Sequence, residues 1–201
     1  MRFLCLTGVL AALAVSSGRA EESEKEVVLP VKAKLVAKTT TYKLDLGGKT
    51  AEEFRTLLKD AEKSGRMPPP PAVEMALEIT NTSDKEIKIW TSGDPVQLDL
   101  KLTGPGAVNA RPQLAFTTIF IGPKAETLAP GKSLSLPITK LQYGFRGASN
   151  MSYWTEPGEY KLSATFKTGI QPAPKGVKER DGFGPVTVPA EAITIKVEAA
   201  K

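Results

Sequence analysis

Trp154-Thr155-Glu156-Pro157-Gly158-Glu159-Tyr160-Lys161-Leu162 is the stretch that decides how this chain folds. Pro157-Gly158 reads as a turn, because proline presets the first turn torsion and glycine accepts the left-handed one that follows. Beyond it Tyr160, Leu162, Ala164 and Phe166 alternate with Lys161, Ser163, Thr165 and Lys167. A period of two places the first set on one face of a strand and the second set on the other. The same pattern recurs on both sides. Val73, Met75, Leu77 and Ile79 alternate with polar or small residues, the turn-rich Asn81-Thr82-Ser83-Asp84 follows, and then come Ile87 and Ile89. Leu98, Leu100 and Leu102 alternate with Gln97, Asp99 and Lys101; Leu134, Leu136 and Ile138 follow the turn pair Pro130-Gly131; Ile193, Ile195 and Val197 close the chain. A strand pair is expected over 27–46. Short strands with one apolar and one wet face, separated by Gly, Pro and Asn, predict antiparallel sheets in an all-β domain.

One segment departs from this period. Thr50 followed by Glu53 forms a capping box, in which each side chain satisfies the other residue's backbone amide. Ala51, Phe54, Leu57, Leu58 and Ala61 then recur at helical spacing, with Gly65 placed as a C-cap. A helix over about 50–64 is therefore expected, ending before Pro68-Pro69-Pro70-Pro71, which cannot continue it. It is expected to plug one open end of the β structure.

The Pro-Gly turn leading into a strand that opens on an inward Tyr160 resembles the tyrosine corner of immunoglobulin-like sandwiches, in which the phenol bonds upstream backbone. Pro130-Gly131-Lys132-Ser133 before Leu134 resembles the turn that leads into an earlier strand of such domains. Over roughly residues 72–197 the chain looks like exported bacterial immunoglobulin-like domains, a group that includes the proteinase-inhibitor-like sandwiches. The resemblance implies an immunoglobulin-like antiparallel β-sandwich with one short inserted helix. It also suggests inhibition of an exported protease through an exposed loop. The architecture hosts many functions and by itself assigns none.

The N-terminus carries an export pattern. Arg2 gives a positive start, Phe3 to Val15 is an uncharged apolar run, and Gly18 and Ala20 are the small residues before an acidic stretch at 21–26. That order predicts a signal peptide over 1–20 and one domain over 27–201. The run is shorter than the roughly 20 residues that span a bilayer, so membrane contact is expected only if the signal stays uncleaved. The expected location is the periplasm, the cell envelope or the exterior. Cleavage removes the only cysteine, Cys5, so the mature chain forms no disulfide. It also removes Arg2 and Arg19, which lowers the basic count from 27 to 25 against 22 acids. The remaining lysines are dispersed along strands, and a nucleic-acid partner, which needs a concentrated basic patch, is not expected.

Absent residue types narrow the chemistry further. The chain has no histidine, which excludes Ser-His-Asp and Cys-His nucleophilic machinery, imidazole-ligated zinc and blue copper. No phosphate-binding glycine loop is present, and no cofactor is expected. Carboxylate pairs remain the one enzymatic route: Asp94, Asp99, Glu156 and Glu159 lie nearest one another in sequence but read as solvated surface. Asp84, Asp94 and Asp181 in loops do not have the spacing of a calcium loop.

The stretch 142–154 is richer than scaffolding requires. It holds four of the 13 aromatics, interleaved with Gly144 and Gly147. We therefore expect an irregular end loop carrying a binding surface of Tyr143, Phe145, Arg146, Asn150, Tyr153 and Trp154, with at least two of the four rings partly exposed. If those rings instead face inward, they cap the core. Strict alternation points Trp90 outward, but a bulge there would bury it, and burial is the expectation. The function that fits is an exported, non-catalytic module that binds a macromolecule, either protein or polysaccharide.

Overall fold

Alternation becomes architecture wherever an apolar face finds a partner. The computed structural model describes residues 27–112, 119–145 and 148–199; the signal-peptide reading lies outside them. In chain order the elements are β1 (Val31–Ala37), β2 (Thr41–Lys43), α1 (Ala51–Ser64), β3 (Ala72–Asn81), β4 (Ile87–Ser92), β5 (Gln97–Thr103) and β6 (Ala107–Ala110). They continue with β7 (Lys124–Leu128), β8 (Ser133–Lys140), β9 (Gln142–Phe145), β10 (Ala148–Trp154), β11 (Gly158–Gln171) and β12 (Gly184–Glu198). The fold is all-β with one helix.

The long antiparallel hairpin β11–β12 is the spine, paired from Gly158–Val197 to Ile170–Gly184 with a register shift between Leu162 and Ala164. Along the free edge of β12 run β1 and then β2, both parallel to it. The N-terminal segment thus holds the two expected strands, each laid on β12. β1 pairs antiparallel with β3, and β3 with β8. The other edge of β11 pairs with β5 at Lys161–Lys167 and with β4 at Ile170–Gln171, and β4 pairs with β7. Between Ile89 and Gln97 the chain takes eight steps, while its partner moves only from Ile170 to Lys167. β4 and β5 are therefore one antiparallel line along β11, broken by an excursion at 90–96. This excursion buries both Ile89 and Trp90: Trp90 turns away from the main core, stacks on Phe183 at 4.6 Å and covers Gly169.

The nine-stranded sheet curls until it is nearly a barrel. Its two edge strands, β7 and β8, are consecutive in sequence, and Asn81 helps close the seam. Asn81 is fully buried; its amide donates to the Leu128 carbonyl at 2.9 Å and the Lys85 carbonyl at 2.7 Å, and its oxygen accepts from the Ser83 amide and hydroxyl. Inside, Leu77, Ile79, Ile89, Leu102, Leu162, Ile170 and Ile195 are fully enclosed. Burying an aliphatic side chain of this size contributes about 1.5–3 kcal/mol.

A second sheet, β6-β10-β9, stands beside the first. The helix is capped as its sequence predicts: the Glu53 amide donates to the Thr50 hydroxyl at 3.3 Å, the Thr50 amide donates to the Glu53 carboxylate at 2.8 Å, and Gly65 is left-handed at φ 71°. Its apolar face, with Leu58 and Ala61 buried, packs on Ala110 and Tyr153 of this second sheet. The helix covers the small sheet, which was unforeseen because that sheet was itself unforeseen. The Tyr153 hydroxyl then donates to the Pro68 carbonyl at 2.7 Å, fastening the proline run.

The segment 142–154 corrects the sequence expectation. It is the β9–β10 hairpin, with Asn150 opposite Tyr143 and Ala148 opposite Phe145, not an irregular loop. Tyr143, Tyr153 and Trp154 are 8%, 1% and 4% exposed, so these three rings are core and form no exposed platform. They are buried because the hairpin is covered on both faces, by the main sheet and by the helix with its proline run. The Phe145 side chain and Arg146 lie outside the described residues.

Candidate functional site

The wet faces of β5 and β11 lie side by side. Their register sets Gln97 opposite Lys167, Asp99 opposite Thr165 and Lys101 opposite Ser163. Lys167 reaches diagonally to the Asp99 carboxylate at 3.2 Å, and the Gln97 amide donates to the other Asp99 oxygen at 2.6 Å. The backbone of Leu100 and Ala164 forms the floor between these side chains, while their own side chains turn into the core.

The β6-β10-β9 sheet turns this strip into a groove. Asn109 imitates a strand partner: the Leu102 amide donates to its side-chain oxygen at 3.1 Å, and its amide donates to the Leu102 carbonyl at 2.9 Å. The same oxygen accepts from the Ser152 hydroxyl at 2.7 Å, and Tyr143 lies beside that hydroxyl. Ser152 is fully buried, so its polar atom must be paired inside the protein. This chain of bonds fixes one wall, on which Tyr143, Asn150, Asn109 and Arg111 sit, while Pro189 and Ala190 of β12 form the other. The groove encloses about 640 Å³. Burial is the main cause that raises the Tyr143 phenol above its usual pKa, and Asp99 adds to it; the Ser152 bond and the Arg111 charge act in the opposite direction. With its pKa raised, the phenol remains protonated at neutral pH.

The six residues singled out from sequence therefore divide. Tyr143 and Asn150 line the groove. Tyr153 and Trp154 lie on its far side, against a cleft of about 280 Å³ formed with Tyr42, Phe54 and the proline run. There Trp154 stacks on Tyr42 at 5.3 Å and Phe54 meets the edge of Tyr153 at 6.2 Å. Sequence reasoning missed Asn109, Lys101, Arg111 and Lys167 and read Asp99 as simple surface. The alternation of β5 exposed these side chains but said nothing of what stands over them.

The other carboxylates weighed from sequence have separate places. Asp94 is buried between β4 and β5, where its backbone amide donates to the Ile121 carbonyl at 2.7 Å and its carboxylate accepts from the Ile121 amide at 3.2 Å. Glu156 pairs with Arg55 of α1 beside the corner, and Glu159 is exposed on β11. Among the described residues no group of three or more acidic, cysteine or histidine side chains gathers to hold a metal ion. None of their helices is long and apolar enough to cross a membrane.

No protein-family model matches the chain, and no match is found among curated proteins.

Proposed function

We propose that this protein is an exported, non-catalytic binding module of the cell envelope, and that its groove takes a polysaccharide chain. One observation carries the reading. The groove presents amides, hydroxyls and charges along an open strip of strand backbone, and its wall is fixed in place by the bonds of Asn109 to Leu102 and Ser152. Sugar rings offer donors and acceptors around their rims, and a lining of amides, hydroxyls and charges answers them. A protein partner instead favours bulky apolar anchors at the centre of its contact, whereas Leu100 and Ala164 of this lining turn their side chains into the core.

The non-catalytic part rests on charge. Glycoside hydrolysis needs two carboxyl groups about 5–9.5 Å apart. Asp99 is the only carboxylate lining the groove among the described residues, and it is already bound by Lys167 and Gln97. The export part rests on Arg2, the apolar run Phe3 to Val15, and Gly18 and Ala20. For the fold we favour an immunoglobulin-like antiparallel sandwich with one inserted helix. The tyrosine corner, and a first strand parallel to the last but antiparallel to the third, support that choice.

Native gel electrophoresis in soluble polysaccharides tests the function. Retardation by at least one polymer without release of reducing ends is the expected result. Retardation by none, or steady release of reducing ends, overturns the reading. Mass spectrometry of the native protein should find its N-terminus at Glu21; an intact Met1 in the cytosol contradicts export.

A second reading, inhibition of an exported protease, is favoured by one observation. Ile119, Phe120 and Ile121 are 70%, 65% and 62% exposed, and Asp94 holds Ile121 through both its amide and its carbonyl. Tight inhibition within a panel of exported proteases supports this reading, and no inhibition removes it.

A further inference from the structure

We infer that the polysaccharide taken by the groove is acidic, bearing repeated carboxylate groups read by Arg111 and Lys101. This rests on the groove being a saccharide site, and it adds the chemical class of the chain. The argument begins with a census of charge in the lining. Three cations, Lys101, Arg111 and Lys167, face one carboxylate, Asp99. Asp99 and Lys167 neutralise one another at 3.2 Å. Arg111 and Lys101 form no ion pair among the described residues, although both reach the same groove. Arg111 lines the groove together with Tyr143.

A neutral glycan would cover Lys101 and Arg111 without answering either charge; the carboxylate beside Arg111, Glu62, is taken up by the Arg111 backbone amide at 2.6 Å. A uronate-type chain supplies the missing charge at intervals. The planar fork of Arg111 suits a carboxylate, which it can hold through two parallel bonds, and the ammonium of Lys101 serves as a point charge. Tyr143 and Asn150, opposite each other in the β9–β10 hairpin, then hold ring hydroxyls beside Arg111. Diffuse basicity does not explain the arrangement, because the lysines elsewhere are spread along strands. Exposed Lys88, outside the groove lining, serves as the control.

The experiment compares the purified protein on polygalacturonate, neutral dextran, dextran sulfate and duplex DNA of matched length, by affinity electrophoresis at two salt concentrations. The expected result is binding to polygalacturonate about 10-fold or more tighter than to dextran, weakened by salt. Arg111→Ala and Lys101→Ala should each lose about 10-fold while their melting temperatures hold, and Arg111→Lys should recover only part of the loss. Lys88→Ala should change nothing. Equal binding to dextran and polygalacturonate, lost on Thr165→Trp, which fills the groove, overturns the acidic class and leaves the saccharide site standing. Equal capture of dextran sulfate and DNA, indifferent to Arg111, shows mere polyanion attraction and also overturns the inference. Binding to none of the four, nor to any other polysaccharide, removes the underlying reading as well.

Discussion

The Tyr160 hydroxyl donates to the Glu156 carbonyl at 2.6 Å, and its ring is 1% exposed beneath the Pro157-Gly158 turn. Tyr160→Phe keeps the ring and removes one hydrogen bond, so urea titration should show a loss of about 0.5–1.5 kcal/mol. A neutral change would mean that the corner bond contributes nothing to stability. Asn81 carries more. Asn81→Ala leaves the Leu128 and Lys85 carbonyls without their amide partner, at a cost of about 1–3 kcal/mol per buried group. Asn81→Asp should cost at least as much, since a carboxylate cannot donate to either carbonyl; an Asp variant as stable as wild type would show that the seam does not depend on these bonds. Tyr153 supplies a pH test. Burial pushes its phenol up to about 12, against about 10 in an unfolded chain. The folded state thus holds a proton that the unfolded state releases. The stabilising effect is complete below pH 10 and fades as pH rises from 10 toward 12. Phenolate absorbance should show one tyrosine ionising late, and Tyr153→Phe should flatten the fall of stability across that window.

The β9–β10 hairpin shows where element-level reading succeeds and where it stops. Strands β3, β11 and β12 were legible because each buries one face, so a period of two survives in their sequences. The helix was legible because its capping box, stripe and Gly65 are all local. The hairpin is covered on both sides, so its rings follow no period, and glycines among aromatics read as a loop. The parallel pairing of β1 and of β2 with β12 leaves no local signal, because it depends on a strand about 150 residues away. Buried Trp154 stacks on Tyr42 at 5.3 Å and meets Tyr160 at a tilt at 6.4 Å, so Trp154→Ala should lower stability by about 3–5 kcal/mol in a denaturant melt. A stable variant would return this ring to the surface. At Gly169 any side chain would drive into the Trp90 ring, backed by Phe183. Gly169→Ala should cost about 1–3 kcal/mol through overpacking.

At the scale of the whole molecule, the groove is assembled from five stretches that sequence order keeps apart: β5, the end of β6, the β9–β10 hairpin, β11 and β12. Alternation announced the wet face of β5. It could not announce that the excursion at 90–96 sets which of its residues face Lys167 and Ser163. Nor could it show that Asn109 carries a second sheet to the rim. Tyr143 and Asn150 were found for composition, and the site they belong to became visible only with the pairing of strands. The most direct measurement is nitrogen-correlated NMR of the purified protein titrated with polygalacturonate. The side-chain amides of Asn109, Asn150 and Gln97 should shift together with the backbone amides of Lys101, Arg111 and Thr165, while the amides of Ile119 to Ile121 stay still. Shifts confined to 119–121, or none in the groove with any polysaccharide that binds, would contradict the account.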